Sequence, residues 1–261
     1  MKNRFTIIST RWRRAVRSAL VVGAAIVGMG ALVAAPQSAR AQGVFDMGML
    51  TNTMAQGAVV KSERERARRL ARHRTFFQSA LTASRNRKTT QARFTPSEAV
   101  RKRSIAQFVS RVRAADPQGA AALEKELTTK DVFGALAKKL ATYGLKTNSV
   151  TDAFTVYTVV AWLGVRGSND DPNKAHVRGV QKQMGHVLAN LPAIVSASDA
   201  KKQELAEAFF LQAVLIDSAV AGAKKRPETM PQVKTALATG TQATLGYDLR
   251  TFKLTDKGLT L

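Results

Sequence analysis

The chain has 261 residues, no cysteine and three histidines, with 41 lysines and arginines against 18 aspartates and glutamates, for a formal net charge of +23. Without cysteine there is no disulfide, no thiolate metal site and no thiol nucleophile. An apolar content of 45% is enough for a packed core, and the composition excludes a collagen-like chain or a multi-span membrane protein.

The first elements form an export leader. Residues 1–18 carry Lys2, Arg4, Arg11, Arg13, Arg14 and Arg17 and no acid, 19–35 carry no charge, and Pro36 and Ala39-Arg40-Ala41 follow. A positive n-region, an apolar h-region and a small-x-small site make a secretory signal peptide, 1–41, cleaved after Ala41. The apolar stretch is short for a span and rich in Ala and Gly. The chain is therefore expected to be exported, periplasmic or secreted, with no transmembrane span in its mature part. Removing the seven basic residues of the leader leaves +16.

Residues 42–92 read as a basic N-terminal arm and linker. Most of the mature charge is concentrated at this end: 61–103 hold 14 basic residues and three acids, whereas 104–261 hold 20 and 14. Lys61 to Ala83 reads as a helix, with Ala67, Leu70, Phe77 and Leu81 near helical spacing and Glu65 four before Arg69. Its other faces carry Arg64, Arg66, Arg68, Arg69, Arg72 and Arg74, the candidate residues for an anionic partner. A basic amphipathic helix suits a membrane surface or an anionic polymer. Anionic lipid headgroups, lipopolysaccharide or acidic polysaccharide fit an exported chain; the bland alternative is a solvated helix docked on its own domain. Nucleic acid is the less favoured partner, because a basic helix attracts phosphate but no reader motif is present. Gly43 to Val60 is weakly patterned, and Thr82 to Ala92 reads as a linker.

A helical domain, 93–261, follows. Thr95-Pro96-Ser97-Glu98 predicts a helix start with a capping box, and Ile105, Phe108, Val109 and Val112 supply its stripe. Asp116-Pro117 caps a short helix through Leu127. Thr129 to Tyr143 makes another, with Val132, Phe133, Leu136 and Leu140 on one face and Gly144 as its stop. Ser149 to Val165 is apolar almost all round, with Ser149 and Asp152 as a capping pair. Asp171-Pro172 is expected to cap the next helix, whose face is Val177, Val180, Met184, Val187, Leu188 and Leu191. Ser198 to about Lys224 contains Ala208 to Ile216 with one polar residue, a sign of a central buried helix beside 149–165. Thr229 to Leu245 is the last helix. Tyr247 to Leu261 reads as a short extended tail with a turn at Asp256-Lys257-Gly258. The fold class is all-α, a single bundle of six or seven helices after a basic helix and linker.

Arg93-Phe94-Thr95-Pro96-Ser97, Ala161-Trp162 with Arg166-Gly167, Ala206-Glu207-Ala208 through Gln212 and Ile216-Asp217, and Gly246-Tyr247-Asp248 with Leu254-Thr255 resemble a family of exported Gram-negative bacterial proteins of unknown function. The resemblance spans about 90–261. It implies a mostly helical exported domain and brings no activity or site with it.

Motifs of catalysis are scarce. There is no HExxH, GxSxG, SxxK, P-loop or GxGxxG. His176 and His186 stand ten apart, about 15 Å along one helix, too far to share a metal. Glu204 and Glu207 raise the alternative of an envelope glycan hydrolase, with solvated or ion-paired side chains as the plainer reading. Ser168-Asn169-Asp170-Asp171 offers oxygens but lacks the spacing of a calcium loop. Gln212 and Asp217 lie in very apolar runs and need partners, Arg166 being the candidate for Asp217. The reading that results is an exported, non-enzymatic protein without a cofactor, held near an anionic surface by its arm.

Overall fold

Two helices that are apolar on nearly every side set the centre of the molecule, and capping residues set most boundaries around it. The computed structural model describes residues 89–261. Among these the chain is mostly helical. It forms α1 (Glu98–Ala115), α2 (Pro117–Thr129), α3 (Val132–Ala141), α4 (Val150–Gly164), α5 (Lys174–Ala189), α6 (Pro192–Val195), α7 (Asp199–Lys225) and α8 (Met230–Leu245), then β1 (Lys253–Thr255) and β2 (Gly258–Thr260). These are eight helices where six or seven were expected. The addition, α6, is one turn begun by Pro192, too short for periodicity to register. The leader, the helix expected over Lys61 to Ala83 and its six arginines lie outside the described residues.

Short side chains accepting from exposed backbone amides start the helices. Asp116 accepts from Gly119 at 2.9 Å, Asp131 from Gly134 at 2.8 Å and Ser149 from Asp152 at 3.1 Å. Two expected caps are corrected. α1 starts at Glu98 with Ser97 as N-cap and no side-chain capping bond. The amides of Thr95 and Ser97 are instead used by the other end of the bundle, donating to Asp199 Oδ2 at 2.9 Å and Gln203 Oε1 at 2.7 Å. Asp171 does not cap α5; Asn173 does, accepting from Ala175 at 2.7 Å, while Asp171 takes Lys139.

The core is centred on α4 against α7. Phe154 stacks on Phe209 with centroids 4.8 Å apart, and Tyr157 tilts onto the same ring at 5.4 Å. All three are fully buried. α7 is long and apolar enough to cross a membrane, but 78% of its apolar window is buried inside the domain, which is the behaviour of a core helix. α1 and α2 pack on each other, α1 also on α7, and α5 on the other side of α4.

Both ends of the described chain are bound to this core. Of the linker expected over Thr82 to Ala92, the described residues 89–92 lie against the domain. Thr90 donates its amide to Gly185 O, Ser149 Oγ donates to Gln91 O at 2.8 Å, and Ala92 is buried. At the far end the extended tail is a hairpin, pairing Lys253 with Thr260, Leu254 with Leu259 and Thr255 with Gly258. It lies on α5. A Cβ built on Gly179 of that helix would stand 2.4 Å from Asp256 O and 2.5 Å from Gly258 N, so only glycine allows this approach. Gln183 closes the contact, accepting from Leu259 N at 2.9 Å and donating to Leu259 O at 3.0 Å.

Candidate functional site

A cavity of about 200 Å³ opens between α2, α3, α4 and α7. The stripe that marked α3 in the sequence supplies half-buried Leu136 and buried Leu140 to one wall. Leu127 of α2, Val156 and Val160 of α4, Val177 of α5 and Val214 of α7 are among the others. The wall is almost wholly aliphatic.

Polar groups gather at one end, where the loop 168–172 meets α3 and α7. Asp170 and Asp171 are exposed there. Lys139 Nζ is 2.5 Å from Asp171 Oδ1, and Lys224 Nζ is 3.4 Å from Asp170 Oδ1. Asp217, one helical face inward on α7, is the deepest acid. Burial pushes its carboxyl up to about 6, against the pull of Lys224 and a hydrogen bond from Asn169. Burial and the neighbouring Asp171 likewise push the Tyr143 phenol up to about 12. The arrangement can hold an apolar body while its acidic end faces a polar head.

The other sequence candidates fall elsewhere. Glu207 is 2% exposed and bonded to Arg101 Nε at 3.1 Å and Gln203 Nε2 at 2.9 Å. Arg101 also lies over the Phe133 ring, 4.6 Å from its centroid. Glu207 thus ties α7 to α1. Glu204 meets Lys201 at 3.0 Å and Arg103 at 3.8 Å. Neither glutamate lines the cavity. Arg166 does not pair with Asp217: it turns the other way and donates to the carbonyls of Trp162, Leu249, Arg250 and Phe252. In the 168–171 loop Asp170 and Asp171 face lysines and Ser168 Oγ donates to Asp170 Oδ2 at 2.8 Å, and no group of three or more acids or histidines able to hold a metal occurs among the described residues. His176 and His186 both lie on α5. The arginines Arg64, Arg66, Arg68, Arg69, Arg72 and Arg74 lie outside the described residues.

Sequence reasoning singled out Asp217 and the 168–171 loop separately, and had no signal that Lys139 and the aliphatic wall would join them. The molecule these residues build is a mostly helical domain with one helix-walled apolar cavity described and no recognised catalytic constellation among its described residues. The chain belongs to DUF6683, a family of unknown function, whose model matches residues 15–261. No curated protein and no solved structure matches it.

Proposed function

We propose that the chain is an exported, non-enzymatic protein that associates with an anionic envelope surface through its basic arm, the helical domain being the body so held. The observation that carries this reading is the segregation of charge: 14 basic residues against three acids in 61–103. The same charge continues on the solvent side of α1, where Lys102 and Arg111 are exposed. A basic residue near an anionic bilayer contributes about 1 kcal/mol, so six arginines within 64–74 supply enough attraction for reversible attachment. Cleavage after Ala41 in a Gram-negative envelope places this arm beside phosphate-bearing lipids.

The test is sedimentation of the mature chain with vesicles of phosphatidylcholine alone or mixed with phosphatidylglycerol, at about 0.05 M and about 0.5 M salt. Binding is expected only to the anionic vesicles, only at low salt, and not after deletion of 61–88. Undiminished binding by the deletion variant refutes the reading. Titration with duplex DNA under the same conditions separates the alternative, a nucleic-acid-binding protein: DNA binding that outlasts vesicle binding as salt rises favours it.

A further inference from the structure

We infer that the cavity between α2, α3, α4 and α7 is a binding site for a small cationic amphiphile, an amine with an apolar body of about eight carbons. Size and wall fix the body. A dry cavity of about 150 Å³ takes benzene, so about 200 Å³ takes a ring or short chain somewhat larger. The wall of Leu127, Leu136, Leu140, Val156, Val160 and Val214 offers that body no hydrogen-bond partner.

Charge fixes the head. Three carboxylates, Asp170, Asp171 and Asp217, stand at the polar end against two lysines, Lys139 and Lys224. Both lysines are already within 4 Å of the outer two aspartates. With Glu126, a fourth acid lining the cavity, paired by Lys130, this leaves one negative charge in excess, and Asp217 is the inner carboxylate. A carboxylate head would bring a fourth negative charge to this end; an ammonium would balance it and give Asp217 a charged donor. An acidic end on a domain whose charge is otherwise positive is itself a selection against anionic amphiphiles. The residues lining this site lie within 123–218 and those of the arm within 61–88, so each proposal is tested by its own variants and the two fail independently.

The experiment titrates the mature chain with octylamine, octanol and octanoate, following methyl resonances of Leu136, Val156 and Val160 and the heat of binding. Octylamine is expected to shift these methyls and to bind at least tenfold more tightly than octanoate. Asp217→Asn, which keeps the shape, is expected to bring octylamine down to the level of octanol. Val160→Phe fills the cavity and is expected to abolish binding of all three while thermal stability stays at or above wild type, which shows that the domain is folded. Equal or better binding of octanoate, octanol matching octylamine in the wild type, or no methyl shift with any probe overturns the inference. So does octylamine binding that survives Val160→Phe.

Discussion

Removing Arg166 is expected to loosen the C-terminal hairpin before it affects the bundle. Its guanidinium Nη1 donates to Trp162 O at 3.0 Å and Nη2 to Phe252 O at 2.8 Å; longer bonds of 3.3 Å reach Leu249 and Arg250. Its Cζ lies 3.8 Å from the Trp162 ring centroid. A charged hydrogen bond contributes about 1.5–3 kcal/mol and a half-exposed cation over an aromatic ring about 0.5–1 kcal/mol. Only two bonds are short, and water reaches this half-buried group and replaces part of what is lost. The net cost of Arg166→Ala is then about 3 kcal/mol. At 2–4 °C per kcal/mol for a domain of this size, Tm falls by about 9 °C. Arg166→Lys is expected to recover less than half, because one ammonium cannot span carbonyls spread over Leu249 to Phe252. Thermal circular dichroism gives the midpoint, and amide exchange at 252–260 gives the location. A wild-type Tm with unchanged protection of Leu259, whose amide is held by Gln183, would show that Arg166 is not what fastens the hairpin.

Gly179→Ala places a methyl against backbone atoms of Asp256 and Gly258; it is expected to cost about 1–3 kcal/mol, read as a lower urea midpoint, and a neutral result would mean that the hairpin yields freely. The Asp217 carboxyl, raised to about 6 by burial despite Lys224, Asn169 and Lys139 and with Asp171 adding to the rise, has a folded pKa above its free value. Its contribution is therefore full below about pH 4 and lost as pH rises through 6. Asp217→Asn should flatten that slope and raise stability at pH 7 by about 2 kcal/mol; urea midpoints at pH 4.5 and 7 that move in parallel for both proteins would contradict it. Tyr247 is fully buried beside Tyr157, and burial raises its phenol above the ordinary value, as it does Tyr143. Both favour the folded state until alkali removes their protons, so the domain is expected to lose stability above pH 10. A tyrosine absorbance titration should show these two ionising late, near the unfolding transition, and ordinary titration near pH 10 would refute their burial.

Helices were legible where the apolar pattern was dense and a capper stood at its start. Ser149 with Asp152 and Asp116 before Pro117 state their role locally, because a short side chain next to an apolar run has few other uses. The α4–α7 centre was legible because only burial suits a segment such as Ala208 to Ile216. Thr95 and Asp171 misled for one reason: each has a local use as a cap and a distant partner that outcompetes it, Asp199 in the first case and Lys139 in the second. The choice depends on which helices come together, and no window of sequence holds that information. The cavity was invisible on similar grounds. Leu136 and Val160 look the same in a sequence whether their neighbours fill the space beside them or leave it open. Asp217 was recognisable as an acid in apolar surroundings, but Arg166, its expected partner, leaves α4 toward Leu249 to Phe252.

Thr90 rests on Gly185 and the hairpin rests on Gly179 and Gln183, so the start and the finish of the domain both buckle onto α5, with further ties to the two ends of α4. Trimming back to the first helix at one side, or cutting away the hairpin at the other, would strip covering from the same rod. The smallest autonomous unit is therefore wider than its helices.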